Sequence, residues 1–367
     1  MSNVLVTGAT GFLGREIVLH LLEREPDTRL TLLVRGKDSA DAQRRGETVV
    51  RELVGADRAS TAMERVTVVR GDIEKDRLGL EAPAWDALAA TTSAVIHGAA
   101  SVSFTLPIDE ARNVNVEGTR RILDLAKAAK ARVDYVGTAY VAGDRRGIAH
   151  EHELDVGQPF RNTYEHTKME AEKLVRSRTG EQPIAMFRPS IIVGDSRTGR
   201  TASFKVLYWP LKIYAQGFAK FVPGRRSTPV DVVPSDYVVD AIMAIRKRED
   251  SLGKAYHLAA GLDRDSTIGE LTDLASDFFR VSKPLFVNPD YVLGWFRPMV
   301  DRFAWGKFKH RMITARVYTP YLNLALRYDT ENARKALAGT GVEVPPVRQY
   351  FSTLFKYCLE TDWGKKT

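Results

Sequence analysis

Two side chains that can move protons stand four positions apart, Tyr164 and Lys168. Residues i and i+4 of a helix lie on one face, so both side chains would point into the same cleft. A nearby ammonium stabilises a phenolate and lowers the pKa of a tyrosine, which allows proton exchange near neutral pH. Thr138 lies upstream, where a predicted strand ends, and its hydroxyl could bind a substrate carbonyl oxygen beside Tyr164. We therefore expect Thr138, Tyr164 and Lys168 to form a catalytic group.

A glycine-rich loop at the start of the chain predicts a phosphate site. Residues 3–14 have the sequence NVLVTGATGFLG, a short apolar run that passes through three glycines into a helical pattern. Gly8 would permit a tight turn, Gly11 a close approach to phosphate oxygens, and Gly14 the packing of the first helix on the first strand. The spacing GxxGxxG differs from the commoner GxGxxG. We expect the helix N-terminus to hold a dinucleotide pyrophosphate, with contacts from Gly8, Thr10, Gly11, Phe12, Leu13 and Gly14.

A cation stands at the end of the second predicted strand. Arg35 closes the run Leu-Leu-Val-Arg, and Lys37 follows it. Sites for NAD usually place an acidic residue here to bind the ribose 2′-hydroxyl, whereas a guanidinium suits a 2′-phosphate. Arg35 therefore predicts NADP(H) rather than NAD(H), the alternative being a solvated arginine.

Strand-like and helix-like segments alternate through the first 190 residues. The predicted strands are 3–7, 30–34, 66–70, 94–97, 133–136 and 184–187, and the predicted helices are 11–24, 40–54, 110–130 and 163–178. Short apolar strands separated by amphipathic helices predict an α/β fold with a doubly wound parallel sheet of the Rossmann type. We expect residues 1–190, with a returning segment at about 225–260, to form the dinucleotide-binding domain. Residues 191–224 and 261–367 would form a smaller, mainly helical substrate-binding region.

Composition limits the class of protein. The chain has 367 residues, of which 44% are hydrophobic and 27% charged, a formal net charge of +8 and a single cysteine. One cysteine allows neither a disulfide framework nor a cysteine-based zinc site, and no histidine cluster has a complete ligand set, so we expect no metal. The chain lacks a nucleic-acid motif, an apolar run long enough to span a membrane and room for a signal peptide, which together favour a cytoplasmic protein without nucleic acid as a partner.

Together these segments resemble the extended branch of the short-chain dehydrogenase/reductase superfamily. The resemblance rests on residues 7–14, 72–73, 99–100, 115–119, 138, 164 with 168, and 188–190. Within that branch the chain is most similar to the fatty acyl-CoA reductase and thioester reductase group, through residues 33–35, 137–141, 187–195 and 230–240. Gly137 stands where that group more often has serine, but the reactive hydroxyl maps to Thr138.

The resemblance implies a role for each matching residue. Tyr164 would donate a proton to the carbonyl oxygen, Lys168 would hold the nicotinamide ribose and depress the pKa of Tyr164, and Thr138 would orient the carbonyl. Asn115 is a candidate for a water-linked proton relay and for cofactor binding. The remaining cofactor contacts would be Asp72 and Ile73 beside the adenine, Ala99 and Ala100 along the cofactor, and Pro189 and Ile192 at the nicotinamide.

The function implied is the NADPH-dependent reduction of an acyl thioester, on CoA or on a carrier protein, to an aldehyde. The sequence leaves open whether a second reduction to an alcohol follows. Three alternatives stay open: an aldehyde or ketone reductase, a sugar-nucleotide epimerase or dehydratase, and a cofactor-sensing protein without catalysis. Arg35 argues against an epimerase, since epimerases favour an acidic residue at that position. The intact pair of Tyr164 and Lys168 argues against a protein without catalysis.

Two aromatic segments follow the predicted sheet. Residues 204–221 predict a helix that either covers the sheet or forms an apolar wall for an acyl chain, with Trp209 and Phe218 on that wall. Residues 291–324 mix aromatic and basic side chains, which predicts either packing on the same domain or peripheral contact with an anionic membrane. The sequence leaves the oligomeric state open.

Overall fold

The computed structural model describes residues 2–204, 207–217, 220–287, 321 and 324–365. The strands in this part of the chain are β1 (Asn3–Thr7), β2 (Arg29–Val34), β3 (Val66–Arg70), β4 (Ala94–His97), β5 (Arg132–Val136), β6 (Arg146–Ala149), β7 (Ile184–Pro189), β8 (Ile191–Val193), β9 (Phe221–Pro223), β10 (Pro229–Val230), β11 (Val232–Pro234), β12 (Ala255–Leu258), β13 (Ser266–Thr267), β14 (Leu285–Val287) and β15 (Ala325–Tyr328).

The helices of the described residues connect these strands. They are α1 (Phe12–Arg24), α2 (Ser39–Val54), α3 (Ala56–Met63), α4 (Ala82–Thr91), α5 (Ile108–Arg112), α6 (Gly118–Ala129), α7 (Thr163–Ser177), α8 (Tyr208–Ala215), α9 (Ser235–Arg246), α10 (Gly261–Arg264), α11 (Ile268–Phe279), α12 (Glu331–Leu337) and α13 (Val347–Glu360). Short 3₁₀ turns occupy Asp76–Gly79, Ala139–Ala142 and Glu249–Ser251, and a π-helical turn occupies Asn113–Glu117.

Seven parallel strands form the central sheet, in the spatial order β12-β7-β5-β4-β1-β2-β3. β1 pairs with β2 on one side and with β4 on the other, so that Val4 lies between Leu30 and Ala94. The strand order reverses at this point, and in open sheets of this kind ligands bind where the carboxyl ends of the two strands diverge. The predicted doubly wound α/β fold is confirmed.

Apolar side chains cover both faces of the sheet, because successive residues of a strand point to opposite faces. Val4 and Val6 of β1 pack with the α1 and α9 side of the molecule, in a cluster that includes Val18 and Ile242. Leu5 packs on the opposite side, in the cluster formed with α6 and α7. The near-continuous apolar strands therefore bury both faces, as expected for a parallel sheet.

The helix predicted at 110–130 is confirmed, with one irregularity inside it. The structure divides it into α5, the π-helical turn and α6. The wider turn brings the carboxamide of Asn115 inward, where it bonds to the backbone of Ser101 and to the hydroxyl of Thr167. π-helical turns of this kind often mark functional sites.

The helix predicted within 204–221 is shorter than expected. α8 runs from Tyr208 to Ala215 and accommodates Pro210 in its first turn, where the missing N–H has no intrahelical partner to lose. Tyr208, Leu211 and Tyr214 are buried in a third apolar cluster with α11 and α13. These three side chains of α8 therefore pack against α11 and α13. None of the helices in the described part of the chain combines the length and apolarity required to cross a bilayer.

Candidate active site

The glycine loop between β1 and α1 has a geometry that other residues cannot adopt. Gly8 has φ +76°, and a Cβ there would lie 2.8 Å from the backbone nitrogen of Ala99. A Cβ on Gly14 would lie only 2.0 Å from the carbonyl oxygen of Gly8. Gly11 precedes α1 and donates its N–H to the carbonyl of Gly8 at 2.8 Å. The loop thus forms a cradle at the N-terminus of α1, which fits the pyrophosphate of a dinucleotide.

A buried hydrogen-bond chain joins the ends of β1 and β4. The hydroxyl of Thr7 accepts the N–H of Ala99 at 3.2 Å and bonds to Nδ1 of His97 at 2.7 Å. Nε2 of His97 bonds to the hydroxyl of Thr119 at 3.1 Å. Burial, with a smaller effect of the charge on Lys168, lowers the pKa of His97 to about 3, so the ring is neutral. His97 is therefore an uncharged member of the buried hydrogen-bond chain between Thr7 and Thr119.

Asn115 links the loop after β4 to α7. Its Oδ1 accepts the N–H of Ser101 at 2.8 Å, and its Nδ2 donates to the hydroxyl of Thr167 at 2.9 Å. The side chain is 2% exposed. Both polar atoms of the carboxamide are therefore engaged in holding the loop that carries Ala99 and Ala100.

The three residues expected to be catalytic come together at the carboxyl end of β5. Thr138 follows β5 and caps the next 3₁₀ turn, accepting the N–H of Tyr140 at 3.3 Å. Tyr164, in the first turn of α7, is hydrogen-bonded to Thr138. One turn later, Nζ of Lys168 donates to the carbonyl of Val136 at 3.1 Å. The i, i+4 spacing on α7 thus places both side chains at the end of β5, Tyr164 near Thr138 and Lys168 at Val136.

The electrostatics of the pair differ from the sequence-based expectation. Burial raises the pKa of Tyr164 to about 12, and the hydrogen bond with Thr138 opposes this rise. The net pKa of Tyr164 is thus raised, whereas the spacing of Tyr164 and Lys168 predicts a fall, because burial disfavours the phenolate more than the hydrogen bond with Thr138 favours it. Burial also lowers the pKa of Lys168 to about 8. The phenol is therefore protonated at neutral pH.

Arg35 directly follows β2, the strand that pairs with β1. Its side chain is 66% exposed, and its guanidinium donates to Glu74 at 2.9 Å. Two further arginines, absent from the sequence-based set, bind the backbone of the same loop: Arg45 donates to the carbonyl of Arg35, and Arg70 to that of Gly36. Three guanidinium groups therefore surround this loop.

The other predicted cofactor residues occupy the loops that follow the strands. Asp72 follows β3 and accepts the N–H of Glu74 at 3.1 Å, while Ile73 is buried against Gly118 at the start of α6. Pro189 ends β7 and Ile192 lies in β8. In the glycine loop, Thr10 is exposed, and Phe12 and Leu13 are half-buried at the start of α1. These positions all flank the carboxyl ends of the central strands.

An aromatic group that the sequence analysis missed covers Tyr164. The ring of Phe104 lies 5.7 Å from that of Tyr164, and Tyr321 stacks on the other side of Phe104 at 5.7 Å. The hydroxyl of Tyr321 donates to Glu165 at 2.5 Å and accepts from Asn162 at 2.6 Å. Phe104 could have been suspected from its place after β4. No spacing in the sequence connects Tyr321 with α7.

Several expectations fall outside the described residues. These are the side chain of Trp209, Phe218, and most of the basic aromatic segment, of which the structure describes only residues 321 and 324.

Comparison with known proteins places this site in a family. The family model described as male sterility protein matches residues 6–242. The terminal R domain of the myxalamid PKS-NRPS pathway has a similar structure, with a TM-score of 0.84 and 27% identity over 100% of this chain and 92% of that chain.

Two curated relatives extend the comparison. The nonribosomal peptide synthetase asaC of Aspergillus flavus is 28% identical over 370 residues, which cover 92% of this chain and 34% of the relative. The fatty acyl-CoA reductase wat of Drosophila melanogaster is 28% identical over 276 residues, which cover 66% of this chain and 53% of the relative. The chain thus spans about a third of the first relative and about half of the second.

The family model and the glycine cradle together assign a nicotinamide dinucleotide as the cofactor. Because the model covers well over half of the chain, this protein belongs to the male sterility protein family and is an oxidoreductase of the extended short-chain dehydrogenase/reductase superfamily.

Proposed function

We propose that this protein reduces acyl thioesters to aldehydes with NADPH. The observation that carries the proposal is the meeting of Thr138, Tyr164 and Lys168 beside the glycine cradle. The relatives named as a fatty acyl-CoA reductase and as a terminal R domain support a thioester as the substrate. CoA and a carrier protein are the two candidate thiol carriers.

The bound cofactor would supply a hydride to the thioester carbonyl carbon. The hydroxyls of Thr138 and Tyr164 would both bind the carbonyl oxygen, which withdraws electron density from the carbon. As the oxygen gains charge, Tyr164 would transfer its proton, and the carbonyl becomes a thiohemiacetal. Loss of the thiol from the thiohemiacetal then leaves the aldehyde. Lys168 would hold the nicotinamide ribose through its ammonium.

The raised pKa of Tyr164 supports the direction of this proton transfer. A phenol with a pKa of about 12 carries its proton at neutral pH and can give it to an oxyanion, which is a stronger base. Tyr164 interacts with Thr138, so the two hydroxyls would be close enough to bind the same carbonyl oxygen. The ring of Phe104 packs beside that of Tyr164 and contributes to the partial burial of the phenol.

The choice of NADPH over NADH rests on the loop after β2. Arg35 is exposed and charged, and Arg45 and Arg70 are bonded to the backbone of that loop. A guanidinium forms strong bidentate bonds with phosphate oxygens. Glu74 now pairs with Arg35, so a 2′-phosphate would replace a carboxylate as the partner of that guanidinium.

One assay tests the proposed function directly. NADPH oxidation is measured side by side with palmitoyl-CoA, a carrier-bound acyl thioester, a fatty aldehyde and a sugar nucleotide. We expect turnover of at least one thioester with release of a free thiol, which a thiol reagent detects. Turnover of the aldehyde without either thioester would refute the proposal and leave an aldehyde reductase. Accumulation of alcohol after thioester addition would show that a second reduction follows.

A further inference from the structure

A buried ion pair lies directly behind the candidate catalytic residues. Glu172 stands one helical turn after Lys168 and two turns after Tyr164, so the three side chains share one face of α7. The carboxylate of Glu172 is fully buried and accepts from Nη2 of Arg188 at 2.6 Å and from its Nε at 2.9 Å. Arg176 adds a third donor at 3.1 Å. Arg188 itself is 1% exposed and lies in β7.

The ion pair and the ammonium of Lys168 contact the same end of β5. Nζ of Lys168 donates to the carbonyl of Val136 and lies 4.6 Å from the centre of the Tyr135 ring. A Cβ on Gly137 would lie 3.4 Å from Oε2 of Glu172 and 3.2 Å from the ring of Tyr135. Glu172 and Lys168 therefore both lie next to residues 135–137, at the end of β5.

We propose that Glu172, fixed by Arg188, is a positioning residue whose buried charge keeps Lys168 protonated and directed at the nicotinamide ribose. This inference rests on the proposed function, in which Lys168 binds that ribose. The carboxylate acts through Lys168 and needs no contact with substrate or cofactor. A lysine in this environment would otherwise lose much of its charge, since burial disfavours an ammonium.

The other ionisable groups around Lys168 supply little or no opposing negative charge. His97 faces it from β4 and is neutral, because burial holds its pKa at about 3. Tyr135 from β5 has a pKa raised well above its usual value by burial, so its phenol is uncharged. Tyr164 is protonated as well. After burial, which lowers the pKa of Lys168, the charge on Glu172 is the cause that raises it.

A purely structural role for the pair is the competing explanation. Arg188 also donates to the carbonyl of Glu153 at 2.8 Å and to that of Glu151 at 3.3 Å, and so joins α7, β7 and the loop after β6. Loss of Glu172 would then lower stability without changing the ionisation of Lys168. The two explanations differ in pH dependence.

The test is the affinity for NADPH as a function of pH, measured by ligand-dependent fluorescence, for the wild-type protein and Glu172→Gln. Wild-type binding should weaken above about pH 8, where Lys168 loses its proton. In Glu172→Gln the weakening should begin about one pH unit lower, since an opposite charge at close range moves a pKa by about 1 to 3 units. Both proteins should bind alike, within about twofold, at about pH 6.5, where Lys168 is charged in each.

Two further variants separate charge from packing. Glu170→Gln changes a carboxylate on the same helix that pairs with Arg112, and it should keep the wild-type pH profile. Glu172→Asp shortens the side chain but keeps the charge. Its affinity for NADPH should therefore depend on pH as in the wild type, even if the protein is less stable. Should Glu172→Gln fail to fold, Glu172→Gln combined with Arg188→Met removes both charges of the pair. The weakening should then still begin at a lower pH than in the wild type, but by less than about one pH unit, because the guanidinium charge lost with Arg188 opposes the loss of the carboxylate.

Three results would overturn the inference. They are a uniform loss of affinity at all pH values in Glu172→Gln, a profile identical to the wild type, and a wild-type affinity that is constant between about pH 7 and pH 9. Binding needs no turnover, so the outcome is independent of the substrate. If the pH dependence of NADPH affinity shifts in Glu172→Gln but the wild-type protein reduces no thioester, the proposed function is refuted and the inference is not.

Discussion

At the scale of single residues, burial determines how the site is charged. Tyr164 and Lys168 are shifted in opposite directions, the phenol to a pKa of about 12 and the ammonium to about 8. Both shifts have desolvation as the largest cause, since burial disfavours the phenolate and the ammonium alike. At neutral pH the phenol is protonated and most of the lysine is charged. Both protonation states suit a reduction in which Tyr164 donates a proton and Lys168 acts as a cation.

Replacing Tyr164 with phenylalanine removes the proposed proton donor and keeps the ring against Phe104. We expect kcat for thioester reduction to fall by about 100- to 10,000-fold, the usual contribution of a general acid. The affinity for NADPH should change by less than about twofold. Tyr357→Phe, on α13, is the matched control and should keep full activity. Wild-type turnover by Tyr164→Phe would refute the mechanism.

Replacing Arg35 with alanine tests the choice of cofactor. The KM for NADPH should rise by about 10-fold or more, since a phosphate loses a charge-assisted partner, while the KM for NADH should stay the same. Steady-state kinetics with both cofactors measures the ratio. Arg51→Ala, at an exposed position near the end of α2, should change neither value. Equal effects on the two cofactors would contradict the assignment of NADPH.

At the scale of elements, the contact between β1 and α1 depends on glycines. A Cβ on Gly14 would collide with the carbonyl oxygen of Gly8. That oxygen belongs to the backbone, to which the Cβ is also directly bonded, so neither atom can move aside without displacing α1. The same displacement would open the cradle that the N-terminus of α1 completes. Cofactor binding and helix packing are therefore coupled at this position.

Gly14→Ala should abolish NADPH binding and lower the melting temperature. Binding is measured by fluorescence titration and unfolding by circular dichroism. Gly180→Ala is the matched control, because the structure shows nothing within 4 Å of a Cβ there and that glycine has no positive φ. The control should bind NADPH like the wild type. Normal binding by Gly14→Ala would show that the loop does not hold the pyrophosphate.

At the scale of the whole molecule, a distant part of the chain completes the site. Tyr321 contacts Phe104 and Tyr140 with its ring, and its hydroxyl bonds to Glu165, whose side chain is fully buried in α7. The C-terminal region therefore stabilises the start of the helix that carries Tyr164 and Lys168.

Tyr321→Phe keeps the aromatic contacts and removes the two hydrogen bonds of the hydroxyl. Glu165 would lose one of its buried donors, so the free energy of unfolding should fall by about 1 to 3 kcal/mol. Urea denaturation measures the change. Tyr357→Phe should change it by less than about 0.5 kcal/mol, as is usual away from buried networks. An unchanged unfolding free energy in Tyr321→Phe would contradict the proposed stabilising role of that hydroxyl.

Features that depend on neighbours along the chain could be predicted from the sequence. The alternation of apolar strands and amphipathic helices predicts the doubly wound sheet, because each element must bury its own apolar face. The glycine spacing predicts the turn between β1 and α1, and the i, i+4 spacing places Tyr164 and Lys168 on one helical face. These are local consequences of backbone geometry.

Features that depend on distant contacts were decided only by the tertiary structure. The π-helical turn at Asn115 follows from partners at Ser101 and Thr167, which no periodicity relates to it. The pKa of Tyr164 rises because Phe104 and other residues cover it, whereas spacing alone predicts a fall caused by Lys168. Spacing thus determined which groups meet, while desolvation, which depends on everything packed around them, decided how those groups are charged.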